Sequence, residues 1–215
     1  MKSKHLKTVL LCVPFSLFFF SVQAETNADS LYITTMKSAV EQMDTLTQKD
    51  DIQLCRMVFE RVHRLYPDDW LSLYYVIYAD LTSFYMDPKS ANSGRLLEES
   101  KKNLALLKEY ENGDMSEIVT LEGYYYMALI VSDPANNGRI YFTNTISAFE
   151  KAMELDADNP RPVCLLAFFE QKLPEMLHSK RIAKVQHDKA KELFSREAKD
   201  PILPHWGERY LSYII

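Results

Sequence analysis

Apolar residues recur along this chain at steps of three and four, and strand-like alternation is absent. Ile52, Cys55, Phe59, Val62 and Tyr66 form one such stripe, and Ile146, Phe149, Ala152 and Leu155 form another. A third joins Ile182, Gln186, Ala190, Leu193 and Phe194, with one polar member. That spacing gathers each set on one face of an α-helix. With only 5 glycines in the chain, the pattern predicts an all-α protein. The segment from Trp70 to Tyr85 differs from the amphipathic stripes. Leu71, Tyr74, Tyr78, Leu81 and Tyr85 mark one side of it, and Leu73, Ile77 and Phe84 mark another. A helix apolar nearly all round must be covered on several sides.

The stripes also repeat. Phe149-Glu150-Lys151-Ala152 has a counterpart in Phe59-Glu60-Arg61-Val62, and a short acidic turn follows each, DADNP at 156–160 and YPDDW at 66–70. Phe194 holds the aromatic position of a third helix, KAKELFSREAKDP. A step of 45 residues joins Phe59, Leu104, Phe149 and Phe194. Small residues precede them in the same register: Cys55, Ser100, Thr145 and Ala190. Two loops echo each other as well, DPKSANSGR at 87–95 and DPANNGR at 133–139. Self-similarity at this period is the mark of a stacked helical array, in which one hairpin buries its faces against the next.

AFEKAMELDADNP and VFERVHRLYPDDW resemble the second helix and closing turn of tetratricopeptide repeats, which carry small-x3-aromatic-x2-small and then a proline five residues on. Phe59, Val62 and Pro67 fit this spacing; Phe149 and Ala152 fit it, with Ala157 in place of the proline. The repeat is longer than the family's, the excess falling in the loops between paired helices. The first helices lack the Trp-x2-Leu-Gly-x2-Tyr pattern, although WLSLYYVIYA and LEGYYYMALI keep its aromatic character. The resemblance covers most of residues 30–200 and implies a right-handed αα-hairpin solenoid of about four hairpins. First helices are predicted near 29–47, 69–86, 115–132 and 161–173, and their partners near 51–65, 94–110, 139–155 and 179–198. The closing PHWGERYLSYII is expected to form a C-terminal capping helix.

The ends and the charge set the compartment. Lys2, Lys4 and Lys7 precede an apolar run from Leu6 to Val22, which ends in Val22-Gln23-Ala24. This is the tripartite pattern of a secretory signal peptide. The run is slightly short for a membrane helix, and Cys12 lies inside it rather than at a lipoprotein cleavage point. The expected organisation is a cleaved signal over 1–24 and one helical-repeat domain over 25–215. The product is periplasmic, or secreted if the source is not Gram-negative. Loss of the three leader lysines takes the net charge from −5 to −8. That disfavours nucleic acid, whose binding needs clustered positive charge. The basic cluster of Lys180, Arg181, Lys184, Lys189 and Lys191 is interleaved with apolar residues and reads as a solvated helix face. No stable membrane insertion is expected after cleavage. Cys55 and Cys164 read as buried small hydrophobes, with a long-range bridge as the alternative.

Candidate chemistry is sparse. Glu175-x-x-His178 has the spacing used in dimetal bundles but no second copy. His63, His187 and His205 have no mutual spacing suited to zinc. No nucleophile elbow, phosphate-cradling glycine loop or metalloprotease helix occurs. The sequence therefore predicts no enzyme, no metal and no cofactor. The tyrosines of the first helices, Tyr74, Tyr75, Tyr78, Tyr124, Tyr125 and Tyr126, are the candidate partner-binding residues, since such rings offer wide contact with a polar handle. By the tetratricopeptide resemblance some of them line a concave peptide-receiving face; filling the interhelix core is the competing reading. Arg95 and Arg139, at matching positions after the loop glycines, are candidate carboxylate grips, with capping or an ion pair within the repeat as the alternative. The expected function is an exported, non-catalytic scaffold binding a protein or peptide partner. The alternative is a hydrolase or glycan-handling protein working in an aromatic-lined groove.

Overall fold

The computed structural model describes residues 16–45, 48–174, 183–198 and 200–214. Among these the fold is all-α. The helices are α1 (Ser16–Thr45), α2 (Lys49–Leu65), α3 (Trp70–Met86), α4 (Ser93–Leu107), α5 (Met115–Ser132), α6 (Pro134–Leu155), α7 (Pro160–Gln171) and α8 (Ala183–Arg196). A 3-10 helix over Glu208–Tyr213 follows. Residues 1–15 of the predicted leader lie outside the described residues, as do Glu175 and His178; α1 runs on through position 24.

The acidic turns that punctuate the repeat start the first helices. Asp69 accepts hydrogen bonds from the amides of Leu71 (3.2 Å) and Ser72 (2.9 Å) and so caps α3. Asp114 accepts from Ser116 (2.9 Å) and Glu117 (3.1 Å) and caps α5. Asn159 accepts from Arg161 (3.0 Å) and caps α7, with Pro160 in the first turn. Each side chain satisfies amides that the first turn leaves without partners.

The two echoing loops fold differently. After α3, residues 87–92 stay outside helix, and α4 begins at Ser93, close to the expected start. After α5, Asp133 accepts from the Asn136 amide (3.2 Å), Pro134 opens the helix, and α6 starts five residues earlier than the predicted 139. Proline fits a first turn because that turn needs no amide from it.

All eight positions of the 45-residue register are buried: Cys55, Phe59, Ser100, Leu104, Thr145, Phe149, Ala190 and Phe194. Helices touch in chain order from α1 to α8, and α5 also packs on α3 and α7. The α5–α6 contact is extensive, and Gly123 lets the two helices approach closely. A Cβ there would stand 2.7 Å from the Phe149 ring.

The C-terminus is the main departure from expectation. No capping α-helix forms. Leu211 of the 3-10 helix and Ile214 just after it close a small core with Val163 and Cys164 of α7 and Leu193 and Phe194 of α8. Just before them, Trp206 reaches into the main core between the helices. Gly207 has φ +108°, a left-handed conformation that an L side chain resists. It turns the chain sharply between the two insertions.

Candidate functional site

Side chains from α3, α5 and α7 meet the C-terminal segment in the core. Trp206 stacks on Tyr78, with centroids 4.4 Å apart and planes at 23°, and lies tilted 5.5 Å from Tyr124. Its indole N–H donates to the Tyr74 hydroxyl at 2.8 Å. Tyr74 in turn donates to Glu117 Oε2 at 2.8 Å. The other Glu117 oxygen accepts from Asn159 Nδ2 (2.8 Å) and Arg161 Nε (2.7 Å), and Arg161 Nη2 approaches it to 2.6 Å. Arg161 Nη1 lies 2.6 Å from Glu197 Oε1. A polar line thus runs from Glu197, just past α8, through α7, α5 and α3 to the C-terminal segment.

Burial pushes the Glu117 carboxyl up, while Arg161 and Tyr74 pull it back. Arg161 keeps its proton, because the field of Glu117 and its hydrogen bonds outweigh the cost of burial. These charges are buried but paired, the condition under which a protein interior tolerates them.

The tyrosines singled out from the sequence are distributed unevenly. Tyr74, Tyr75, Tyr78, Tyr124 and Tyr125 are buried. The structure brings Tyr74, Tyr78 and Tyr124 together around Trp206. Tyr75 stacks at 4.9 Å on Phe59 of α2. Tyr126 is half-buried elsewhere; it donates to Glu122 at 2.8 Å and stacks at 5.8 Å on Tyr141. Arg95 and Arg139 are exposed, in the opening turn of α4 and early in α6. Sequence reasoning did not single out Trp206, Tyr210, Glu117 or Arg161. One signal was present: Arg161 stands alone before the apolar run PVCLLAFF.

Two clefts open on the surface, the first beside Glu117 and Arg161. The first, about 400 Å3, is lined by Asp114, Asp156, Asp158, Arg161, Arg196 and Glu197 among others. Its charges are engaged within the fold: Asp114 caps α5, Asp158 lies 3.7 Å from Arg196, and Glu197 pairs with Arg161.

The second, about 360 Å3, is an apolar groove between α1 and α2 with Leu31, Tyr32, Val58, Arg61, Leu65 and Tyr66 in its walls. Leu31 is 64% exposed and Leu65 is 65% exposed. Tyr32 meets Tyr66 edge-on at 5.1 Å. Its hydroxyl is raised above the ordinary tyrosine range by burial and by the neighbouring Asp69 carboxylate.

Among the described residues no group of three or more His, Cys, Asp or Glu is placed to hold a metal ion. Cys55 and Cys164 are free and buried. Burial pushes the Cys164 thiol up to about 12, which keeps it protonated and unreactive.

No family model matches this chain, and no curated protein matches it. Among solved structures the chain is similar to the HusA haemophore from Porphyromonas gingivalis. The similarity has a TM-score of 0.74 at 23% sequence identity and covers 85% of this chain and 90% of that one. At this identity the likeness is one of fold.

Proposed function

We propose that this chain is an exported, non-catalytic binding protein of the helical-repeat type, its leader removed after Ala24. Its binding site is the apolar groove between α1 and α2, and its partner is a protein or peptide that presents apolar side chains. The groove carries this reading: Leu31 and Leu65 stand about two-thirds exposed in the walls of one concave surface. Contiguous exposed apolar surface of this kind marks interaction sites. The tetratricopeptide-like hairpin register supports the same class of function. So does the acidic charge, which leaves apolar contact rather than phosphate as the basis of affinity. Of the residues singled out from the sequence, Tyr126, Arg95 and Arg139 reach solvent, but they stand on α5, α4 and α6 and are not among the groove's walls. An enzyme in an aromatic-lined groove would need unspent titratable groups in an open pocket, whereas Glu117 and Arg161 are bonded to each other.

A second reading follows from the likeness to a haemophore, by name a haem carrier. Haem is a flat, mostly apolar ring with two carboxylates. The groove supplies apolar walls, the Tyr32–Tyr66 pair and the guanidinium of Arg61. In such a complex the groove walls and the Tyr32–Tyr66 pair would contact the ring, and Arg61 would face a carboxylate.

One pair of proteins tests both readings: the native chain and a Leu31→Asp/Leu65→Asp variant whose helix content is checked by circular dichroism. Haemin titration followed by visible absorbance tests the carrier reading, and affinity capture from envelope extract tests the protein partner. A ligand held by the native chain and lost by the folded variant places the site in the groove. Equal behaviour of the two proteins in both assays would remove the groove from consideration.

A further inference from the structure

The C-terminal segment Pro201–Ile214 contacts α1, α3, α5, α7 and α8. His205 Nε2 lies 2.7 Å from Asp44 of α1. Trp206 is seated on α3, as described above. The Tyr210 hydroxyl is 2.6 Å from that of Tyr124 on α5, and its ring is 5.4 Å from Phe168 on α7. Gly207 fits against Arg161 of α7 and Phe194 of α8.

The segment nevertheless has little structure of its own. Its backbone bonds are mainly those of one short 3-10 helix, such as Tyr210 N–H to Gly207 O and Ile214 N–H to Leu211 O, together with the Asp200 turn that receives the Ile202 and Leu203 amides; Cys164 Sγ of α7 also lies 3.9 Å from Gly207 O, and His205 Nδ1 2.9 Å from Leu203 O. Its order comes from side-chain seats on the surface beneath, as the order of a bound peptide does. The seats are specific: one ring stack, one indole-to-phenol hydrogen bond, and a turn that only glycine makes easily. Trp206 is the one residue of the segment buried in the main core, whose other buried members all belong to the helices. The segment's rim contact is part-exposed, 26% at His205 and 38% at Asp44.

We propose that the aromatic face of α3, α5 and α7 is a recognition surface for an aromatic peptide segment, and that Pro201–Ile214 is its tethered occupant, leaving and rebinding as a unit while the helices stay folded. The inference does not depend on the α1–α2 groove. It explains why three tyrosines at the centre of the array direct hydroxyls and ring faces toward a segment far away in the chain. A free peptide of the same kind competes with the tether for the same seats.

Native-state hydrogen exchange on the full chain, followed amide by amide, tests this. The Tyr210 and Ile214 amides are expected to exchange at least about 100-fold faster than buried amides of α3 and α5, after correction for intrinsic rates, because local opening requires less free energy than global unfolding. His205→Ala should speed the segment alone, by about fivefold, as befits a part-exposed ion pair. An excess of synthetic peptide spanning 201–214 should strip protection from the chain's own segment in a dose-dependent way, and the same peptide with alanine at the Trp206 position should not. Exchange of the segment at the rate of the α3 and α5 amides would overturn the release. Fast exchange that the peptide leaves unchanged would overturn the recognition surface.

Discussion

Arg161 shows how one side chain joins distant elements. It pairs with Glu117 of α5 and Glu197 beyond α8, and its aliphatic stem packs against Gly207. Arg161→Met removes the counter-charge of a buried carboxylate, so a loss of about 3–5 kcal/mol is expected in urea unfolding. Adding Glu117→Gln should return much of that loss, because the stranded charge goes with it. An equal loss in both variants would show that packing by the arginine stem dominates.

His205 acts at the rim and on a smaller scale. The Asp44 carboxylate holds its imidazolium above the ordinary value of 6.5, with Glu197 adding to the field and burial opposing it. The folded pKa is the higher one, so the contribution is full below the unfolded value and is lost as pH rises through the folded value. The stability difference between the native chain and His205→Gln should therefore be larger at about pH 6 than at about pH 9. It should stay within about 1 kcal/mol, the range of exposed pairs. A difference that is flat with pH would mean that the pair carries no net charge coupling. Neither residue could be paired with its partner from the sequence, since Arg161 and Glu117 are 44 positions apart and His205 and Asp44 are 161 apart.

At the level of elements, α5 shows where packing outranks propensity. Glycine inside a helix costs about 1 kcal/mol relative to alanine. Gly123→Ala should nonetheless destabilise the protein, by about 1–3 kcal/mol, because the added methyl meets the Phe149 ring, which is fully buried. A gain in thermal midpoint would mean that α6 can shift at little cost. The ends of α3 and α5 were legible within one residue, because aspartate caps are written in the acidic turns that precede them. The start of α6 was not. Its motif matched that of 87–95, and the choice between loop and helix rests on whether Asp133 folds over the first turn or, as at Asp87, chain turns follow.

At the scale of the whole molecule, the described helices pack in chain order, and the C-terminal segment bonds to α1, α3 and α5. Among the described residues no helix is long and apolar enough to cross a membrane. With the leader read as a signal, N-terminal sequencing of protein recovered from an envelope fraction should begin at Glu25. A chain still beginning at Met1 would contradict the export reading.

The all-α class, the 45-residue register and its buried positions are local matters, and they were readable from the sequence. Periodicity decides which side of a helix is apolar, and cap chemistry decides where it starts. The use of the tyrosines was decided only by the tertiary structure. Tyr74, Tyr75 and Tyr78 share one short sequence run, yet one donates to Glu117 and accepts from Trp206, one stacks on Phe59, and one stacks on Trp206. Their rings are alike in the sequence; what differs is the neighbour brought from far along the chain. Periodicity carries no information about that neighbour, because contacts of long sequence separation are fixed by the mutual packing of all the helices and not by any one of them.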